Sequence, residues 1–490
     1  MSKQFKPSPQ QSDFFSWVEK DNGSCVLEAV AGSGKTTTLI HSLGLMKGSI
    51  FFGAYNKKIA EEIATKVPKE LRNVKVSTMH AAGFGIWGRC QRGLKVDANK
   101  CRDIFRKNFD QDNYFLEGSV LSLVSYAKQA GLGILEPATG TAGWERLIDH
   151  FNVDTFEEDD KLITIAKKVL QISITLDNSL IDFDDMIYAP LVHKAKATQY
   201  DWVLIDESQD TNPSRRALAL LMLKRGGRLV AVGDRHQAIY GFTGADSDSM
   251  QKIADAVSAK YLPLTVTYRC PQAVVREAQK YVSHINAHES AIEGSVSTVK
   301  GSLVKMAKPG DAILSRFNAP IVQMVYQFIA EGIPAKVEGR EIGIALKVLA
   351  RRWKVRSFAL LVEKLTAFQE KETTKFRIKE KESQAVAVED KVKCLMTLIN
   401  RVMKIDPKTK DPITRLCEEI DNIFADNISN KVVLLSTIHK SKGREWKNVY
   451  WLQTGESKWA RKDWEIECEK NLKYVAITRA QENLYLSEDY

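Results

Sequence analysis

Residues 29–36 read AVAGSGKT, a spacing that suits a phosphate ligand. Gly32 and Gly34 let backbone N–H groups turn toward anionic oxygens, Lys35 reaches the β and γ phosphates, and the Thr36 hydroxyl can ligate Mg²⁺ at a helix N-terminus. The cradle expected from this pattern runs over Ala29, Val30, Ala31, Gly32, Ser33, Gly34, Lys35, Thr36 and Thr37, with Ala29 standing where the pattern has its first glycine. A second constellation follows an apolar run in WVLIDESQD. There Asp206 can hold Mg²⁺ through water, and Glu207 can polarise an attacking water as general base. The two constellations together suit cleavage of a nucleoside triphosphate, with Thr36 and Asp206 as the metal-holding pair.

Chemistry of this kind needs rigid elements. Residues 24–29 read as a short buried strand, followed by the glycine-rich turn and the helix-like TTTLIHSLGLM. Apolar runs at 49–54, 202–205 and 228–232 add strands, and NKKIAEEIATKV adds a helix, so the alternation predicts a parallel α/β sheet. The strand before Asp206 is expected directly beside the strand before the phosphate loop. From about 87 to 180 the pattern is helical. A second α/β region begins near Tyr261, with DAILSR as a strand and NAPIVQMVYQFIAEG as a helix ending at Gly332 and Pro334. Residues 344–430 are helical and charged, and FQEKETTKFRIKEKESQ reads as a solvated helix face or a mobile loop. Strands resume at KVVLLST and NVYWLQT, and no internal sequence repeat is present.

Composition narrows the class. With 490 residues, 44% hydrophobic and 27% charged, the chain has the balance of an ordinary globular protein with several cores, which excludes collagen-like, low-complexity and wholly disordered chains. A net charge of +10 suits a polyanionic partner. The seven cysteines form no CxxC pair and are too sparse for a disulfide scaffold, which points to a reducing compartment. No signal-peptide pattern and no apolar run of about 20 residues is present, so no membrane association is expected and the location reads as cytoplasmic.

Further motifs carry a resemblance along nearly the whole chain. Ser8-Pro9-Gln10-Gln11, the loop AVAGSGKT, AYNKK followed by IAEEI, Thr78-Met79-His80, DESQD and VGDRHQAIYGFTGA occur in this order. They are followed by Tyr268-Arg269, SRFNA from Ser315, TIHKSKGREW and YVAITRA. In kind and order these resemble the motifs of the UvrD/Rep family of superfamily 1 helicases. The resemblance implies two RecA-like P-loop NTPase lobes of α/β class, each interrupted by a helical insertion, with ATP in the cleft between them. The expected division is 1–87 and 181–260 for the first lobe around an insertion at 88–180, then 261–343 and 431–490 for the second around an insertion at 344–430. No further domain is expected after the TR pair, and the compact length points to a phage or mobile-element version.

Carried onto these positions, the resemblance implies that Gln11 and Tyr268 hold adenine, Glu445 contacts ribose and Gln237 senses the γ-phosphate. Arg269 and Arg479 would act as paired arginine fingers. Single-stranded DNA would be gripped by Asn56, Thr78, His80, Tyr240, Phe242, Arg316, Asn318, Thr437 and His439, the aromatic faces stacking on bases without reading them. Ala54 and Thr243 depart from the family, where many members carry an aromatic residue and an arginine. The implied activity is Mg-ATP-driven 3′ to 5′ translocation by a monomer with unwinding at single-strand/duplex junctions, an engine used in repair, replication and recombination.

Three rivals stay open. One is a single-strand translocase that strips bound proteins, favoured by a second insertion shorter than the family's usual one. Another is an ATP-dependent binding switch without motor activity, and a third is the same engine on RNA. Other features read as structural: Asp182-Phe183-Asp184-Asp185 as a helix cap that positions the lobe, Trp451, Trp459 and Trp464 as filling of the second lobe, and His193, His236 and His284 as non-ligating.

Overall fold

Short runs rich in apolar residues, most of them followed by a turn or a helix, form the strands of two separate parallel sheets. The computed structural model describes residues 5–21, 23–151, 153–156, 158–175, 179–239, 248–378, 382–425, 431–453, 460 and 463–487. The chain divides into one unit ending at Leu264 and another starting at Thr265.

In the first unit the strands lie in the order Val74–Thr78, Ile50–Ala54, Tyr200–Ile205, Leu223–Gly233, Cys25–Ala29 and Lys260–Leu264, all parallel. Alternate side chains feed opposite faces. Cys25, Leu27 and Ala29 join one core with Phe14, Trp17 and Leu39, while Val26 joins the other with Phe51, Met79 and Leu218. Two expectations are corrected here. Strand Tyr200–Ile205 is not beside the phosphate-loop strand, because Leu223–Gly233 pairs with both and separates them. Residues 261–264 belong to the first unit, since Lys260–Leu264 completes the first sheet and the Leu264 carbonyl accepts from the Val30 N–H at 2.9 Å.

Helix Pro9–Lys20 begins with a capping box: Ser8 Oγ accepts from the Gln11 N–H, and Gln11 Oε1 accepts from the Ser8 N–H. Its far end is clamped by Arg228, whose guanidinium lies 4.3 Å from the Trp17 ring and 4.1 Å from the Trp202 ring. The same group donates to the carbonyls of Gly23, Val18 and Trp17. One side chain thus ties the Gln11 helix to the central strands.

The first insertion has its own core. Helices Lys100–Asn108, Glu117–Ala130, Ala142–Phe151 and Asp159–Ser173 enclose Phe105, Leu116, Leu123, Trp144, Leu162 and Val169. Lys100 and Lys128, both buried, pair with Asp185 at 2.6 and 2.8 Å. The Asp182–Asp185 segment does cap a helix, through Asp182 Oδ1 on the Asp185 N–H at 2.8 Å, and its carboxylates also anchor the insertion's lysines.

In the second unit seven parallel strands run in the order Ser295–Val299, Ala480–Ser487, Trp446–Leu452, Ala312–Ser315, Val433–Thr437, Ala335–Glu338 and Phe424–Ala425. The second insertion contains helices Arg340–Arg351, Phe358–Ile378, Glu382–Ile405 and Pro412–Ile423. Its Leu361, Leu365, Leu395, Leu398 and Leu416 share one core with Ile321, Val325, Phe328 and Leu435 of the lobe. It is an extension of that lobe's core. The charged stretch from Phe368 is helical as far as Ile378. Trp451 is buried on strand Trp446–Leu452, Trp464 is half-buried, and Trp459 lies outside the described residues. Among the described residues no helix is long and apolar enough to cross a membrane.

Replacing Arg228 by Ala removes both indole contacts and three carbonyl bonds. The change is expected to destabilise the first unit by roughly 2–4 kcal/mol, read from urea unfolding. A change below about 0.5 kcal/mol would mean that the clamp contributes nothing.

Candidate nucleotide and nucleic-acid sites

Strand Cys25–Ala29 ends in a loop that turns at Gly32 and Gly34, whose φ angles of 72° and 79° fall in the left-handed region. Gly34 also starts helix Lys35–Ser42 with no side-chain cap, so the first N–H groups are left for an anion. Lys35 Nζ stands 3.4 Å from Glu207, and Thr36 Oγ1 donates to Asp206 Oδ2 at 2.7 Å. The loop and the carboxylates therefore meet despite the intervening strand. Burial, reinforced by the Glu207 charge, pushes the Asp206 carboxyl up to about 6. A hydroxyl and a carboxylate in contact beside open N–H groups form the hard-oxygen donor set that Mg²⁺ takes, so these residues fit Mg-ATP.

Glu207 occupies a left-handed conformation with φ 51°, a strained position for a non-glycine residue. Its carboxylate is held by Gln209, a residue the sequence reading passed over. Gln209 Nε2 donates to Glu207 Oε2 at 2.6 Å, and Gln209 Oε1 accepts from the Asp234 N–H at 3.0 Å. Asp234 in turn accepts from Gln237 Nε2 at 2.8 Å, so Gln237 and Glu207 belong to one hydrogen-bonded chain. A Cβ on Gly233 would lie 2.4 Å from Gln209 Oε1, which explains the glycine. The one available sequence signal was an amide between the acids of DESQD.

Gln11 is buried, and both ends of its amide are occupied: Oε1 in the capping box and Nε2 on Thr38 Oγ1 at 2.8 Å. In this state it braces the phosphate-loop helix. Within the second unit Tyr268 is 45% exposed, tilted against His288 at 4.7 Å between ring centres. Arg269 bonds to Glu445 and to the Thr478 carbonyl, and Gln481 also donates to Glu445 at 2.8 Å. Arg479, expected as a second finger, is 1% exposed and donates to the carbonyls of Val475 and Arg444 at 3.0 and 3.1 Å. Arg269, Glu445 and Arg479 are brought together around Thr478, with Arg479 held inside.

The residues expected to touch DNA are largely engaged within the protein. Asn56 caps helix Lys57–Lys66 through the Ile59 N–H, and Thr78 caps Met79–Cys90 through the Ala81 N–H. Burial and the nearby Arg215 push His80 down to about 4, which keeps it neutral near pH 7. In the second unit Arg316 pairs with Glu469 at 2.9 Å. Asp390, from the second insertion, accepts from the Asn318 and Ala319 N–H groups and from the Asn318 amide. Neither Glu469 nor Asp390 was visible as a partner in the sequence. Thr437 is buried, and His439 is held well below its ordinary pKa by burial and by the Arg316 and Lys442 charges. Tyr240 and Phe242 lie outside the described residues. His193 rests on the Trp87 ring and the Ile174 carbonyl, and among the described residues no group of His, Cys, Asp and Glu could hold a metal ion by itself.

A parallel sheet that brings a phosphate loop against an acidic pair, in a chain with a second parallel α/β unit, defines a P-loop NTPase fold with two lobes of RecA-like type. Residues 11–258 match the UvrD/REP helicase N-terminal domain, and residues 346–489 match the UvrD-like helicase C-terminal domain. The chain belongs to the UvrD/Rep helicase family. Similar proteins include the ATP-dependent DNA helicase PcrA of Leuconostoc citreum, 26% identical over 55% of this chain and 38% of that protein. The F-box DNA helicase protein 1 of Schizosaccharomyces pombe is 24% identical over 94% of this chain and 55% of its own length. The ATP-dependent DNA helicase Rep of Escherichia coli is 25% identical over 58% and 43%. The chain thus spans about half or less of the length of these relatives.

Removing the side chain that holds Glu207 tests the positioning role. Gln209→Ala is expected to lower ATP turnover about 10- to 100-fold while nucleotide binding, followed with a fluorescent ATP analogue, stays within a few-fold. Normal turnover would show that Glu207 does not depend on this amide.

Proposed function

We propose that this chain is an ATP-dependent DNA motor that moves 3′ to 5′ along single-stranded DNA and opens duplex at the junction. The observation that carries the reading is the meeting of Lys35 and Thr36 with Asp206 and Glu207 at one sheet edge. Family membership and the similarity to the ATP-dependent DNA helicases PcrA and Rep support DNA as the polymer. The reading includes action as a monomer in the cytoplasm.

In this reading Lys35 and the loop N–H groups hold the β and γ phosphates, and Glu207 accepts a proton from the attacking water. Gln209 keeps that carboxylate aimed. Thr36 and Asp206 would hold Mg²⁺, which neutralises phosphate charge when bound. Arg269 and Arg479 supply positive charge from the second lobe as the phosphate transfers, which requires exchange of their Glu445 and carbonyl partners for phosphate oxygens. Tyr268 stacks on adenine, Glu445 meets the ribose, and Gln11 and Gln237 respond to the nucleotide at its two ends.

A second reading, a translocase that strips proteins from single strands, draws on the second insertion. Among the described residues that insertion shares its core with the lobe and offers no separately cored body to act on a duplex.

Two experiments separate these readings. Lys35→Ala and Glu207→Gln are each expected to cut ATP turnover by at least about 100-fold, the latter still binding ATP. Turnover at the unaltered rate in either would remove the site assignment. Single-stranded DNA is expected to stimulate ATPase, and strand displacement to need a 3′ tail. Stimulation without displacement selects the translocase, and absence of stimulation by DNA or RNA selects a nucleotide-dependent switch.

A further inference from the structure

Two short segments of the second insertion, 351–357 (RRWKVRS) and 404–411 (KIDPKTKD), hold seven Lys and Arg against two Asp, half of the whole chain's net charge of +10. The fold brings them together. Helices Arg340–Arg351 and Pro412–Ile423 pack on each other, and Arg351 lies close enough to Asp411 to favour its charged form. Helices Phe358–Ile378 and Glu382–Ile405 form a hairpin tied near its turn by Arg377, which bonds to Glu382 at 3.0 Å and to Glu389 at 2.8 Å. The open end of that hairpin sets Phe358 near Ile405, so the two basic segments, which join one helix pair to the other, run side by side.

The cations there are unspent. Lys354, Arg356, Lys404, Lys408 and Lys410 are exposed, and among the described residues none of them forms an ion pair. Their segments are folded turns: Trp353 stands edge-on to Phe368 at 5.8 Å between ring centres, and the Lys354 N–H donates to the Arg351 carbonyl at 3.2 Å. The Asp406 N–H donates to the Val402 carbonyl at 2.8 Å, and Asp411 is committed as a helix cap, accepting from the Thr414 N–H at 3.2 Å. Exposed apolar side chains stand beside each group of cations. Val348 lies one helical turn before Arg351 and Arg352, Leu360 follows Arg356 closely, and Met403 and Ile405 flank Lys404; all four are between 46% and 67% exposed. Apolar side chains clustered at a surface mark a contact with another protein, and unpaired charge around them sets which one.

We propose that this end of the second insertion is a docking surface for an acidic segment of a partner protein, one whose carboxylates are interspersed with aliphatic or aromatic residues. Its carboxylates meet Lys354, Arg356, Lys408 and Lys410, and its apolar side chains cover Leu360, Met403 and Ile405. Charge steers the segment in, and apolar contact holds it. A DNA backbone supplies the anions but has no side chains to cover the apolar residues, so it fits half of the surface. Because the insertion's leucines belong to the core of the second lobe, a partner docked here is fixed to that lobe and moves with it.

The test measures binding of the full chain, by fluorescence anisotropy at fixed salt, to three labelled probes: a peptide of Asp interrupted by Leu and Phe, the same peptide with Ser in place of Leu and Phe, and a blunt DNA duplex. The first peptide is expected to bind about tenfold tighter than the second. Lys408→Glu combined with Lys410→Glu should weaken it about tenfold, and Ile405→Ser about threefold, with ATP turnover unchanged in both variants. Equal affinity for the two peptides, failure to bind either, or full affinity for the first in both variants overturns the surface. Duplex affinity that falls in the charge-reversed chain by as much as peptide affinity assigns the cations to DNA and overturns the protein partner. The motor reading stands apart from all of these outcomes, since it is read from stimulation of ATPase by single strands.

Discussion

A lysine, a hydroxyl and two carboxylates from distant parts of the chain must meet at one edge of a parallel sheet, and the rest of the first unit is organised around that meeting. Parallel strands make it possible, because every strand delivers its following loop to the same side. The cost is desolvation: burial of Asp206 next to Glu207 favours the proton over the charge. Thr36 and Lys35 offset part of that cost, and a bound cation would offset more. The strain at Glu207 and the close approach of Gln209 to Gly233 follow from fitting the acidic pair into this space.

The second unit shows the same economy with the signs reversed. Groups suited to polyanions are satisfied internally: Arg269 by Glu445, Arg316 by Glu469, Arg479 by backbone carbonyls and the Asn318 helix end by Asp390. Buried or half-buried donors without acceptors would be costly, so the protein supplies acceptors of its own. A phosphate ligand must exchange with them. Each exchange is then conditional on the ligand's charge and geometry, which is how binding energy can be turned into a change of state.

The two insertions differ in kind. The first closes its own core and is tied to the lobe by buried lysine–carboxylate pairs, whereas the second contributes leucines to the lobe's core and a carboxylate to a lobe helix. Apolar sharing makes the second insertion inseparable from its sheet. Polar anchoring of the first leaves a seam, and a cavity lined by both cations and carboxylates, Lys128 and Arg215 with Asp184 and Asp210, occupies it.

Much of this was legible in the sequence because it depends on local rules. The AVAGSGKT turn, the acidic pair after an apolar run, the alternating strands and helices and the order of the motifs all survive folding, since backbone geometry and side-chain periodicity act over a few residues. Strand order was not legible: nothing local says that Leu223–Gly233 sits between the loop strand and the acidic strand, or that Lys260–Leu264 closes the first sheet. Nor could spacing reveal that Gln209 holds Glu207, that Asp390 caps Asn318, or that Arg479 turns inward. By itself the sequence determined the class of chemistry and the kinds of element, because those depend on residue type and short-range period. Tertiary structure alone decided which groups pair, because hydrogen bonds and charges respond to distance in space rather than to separation along the chain.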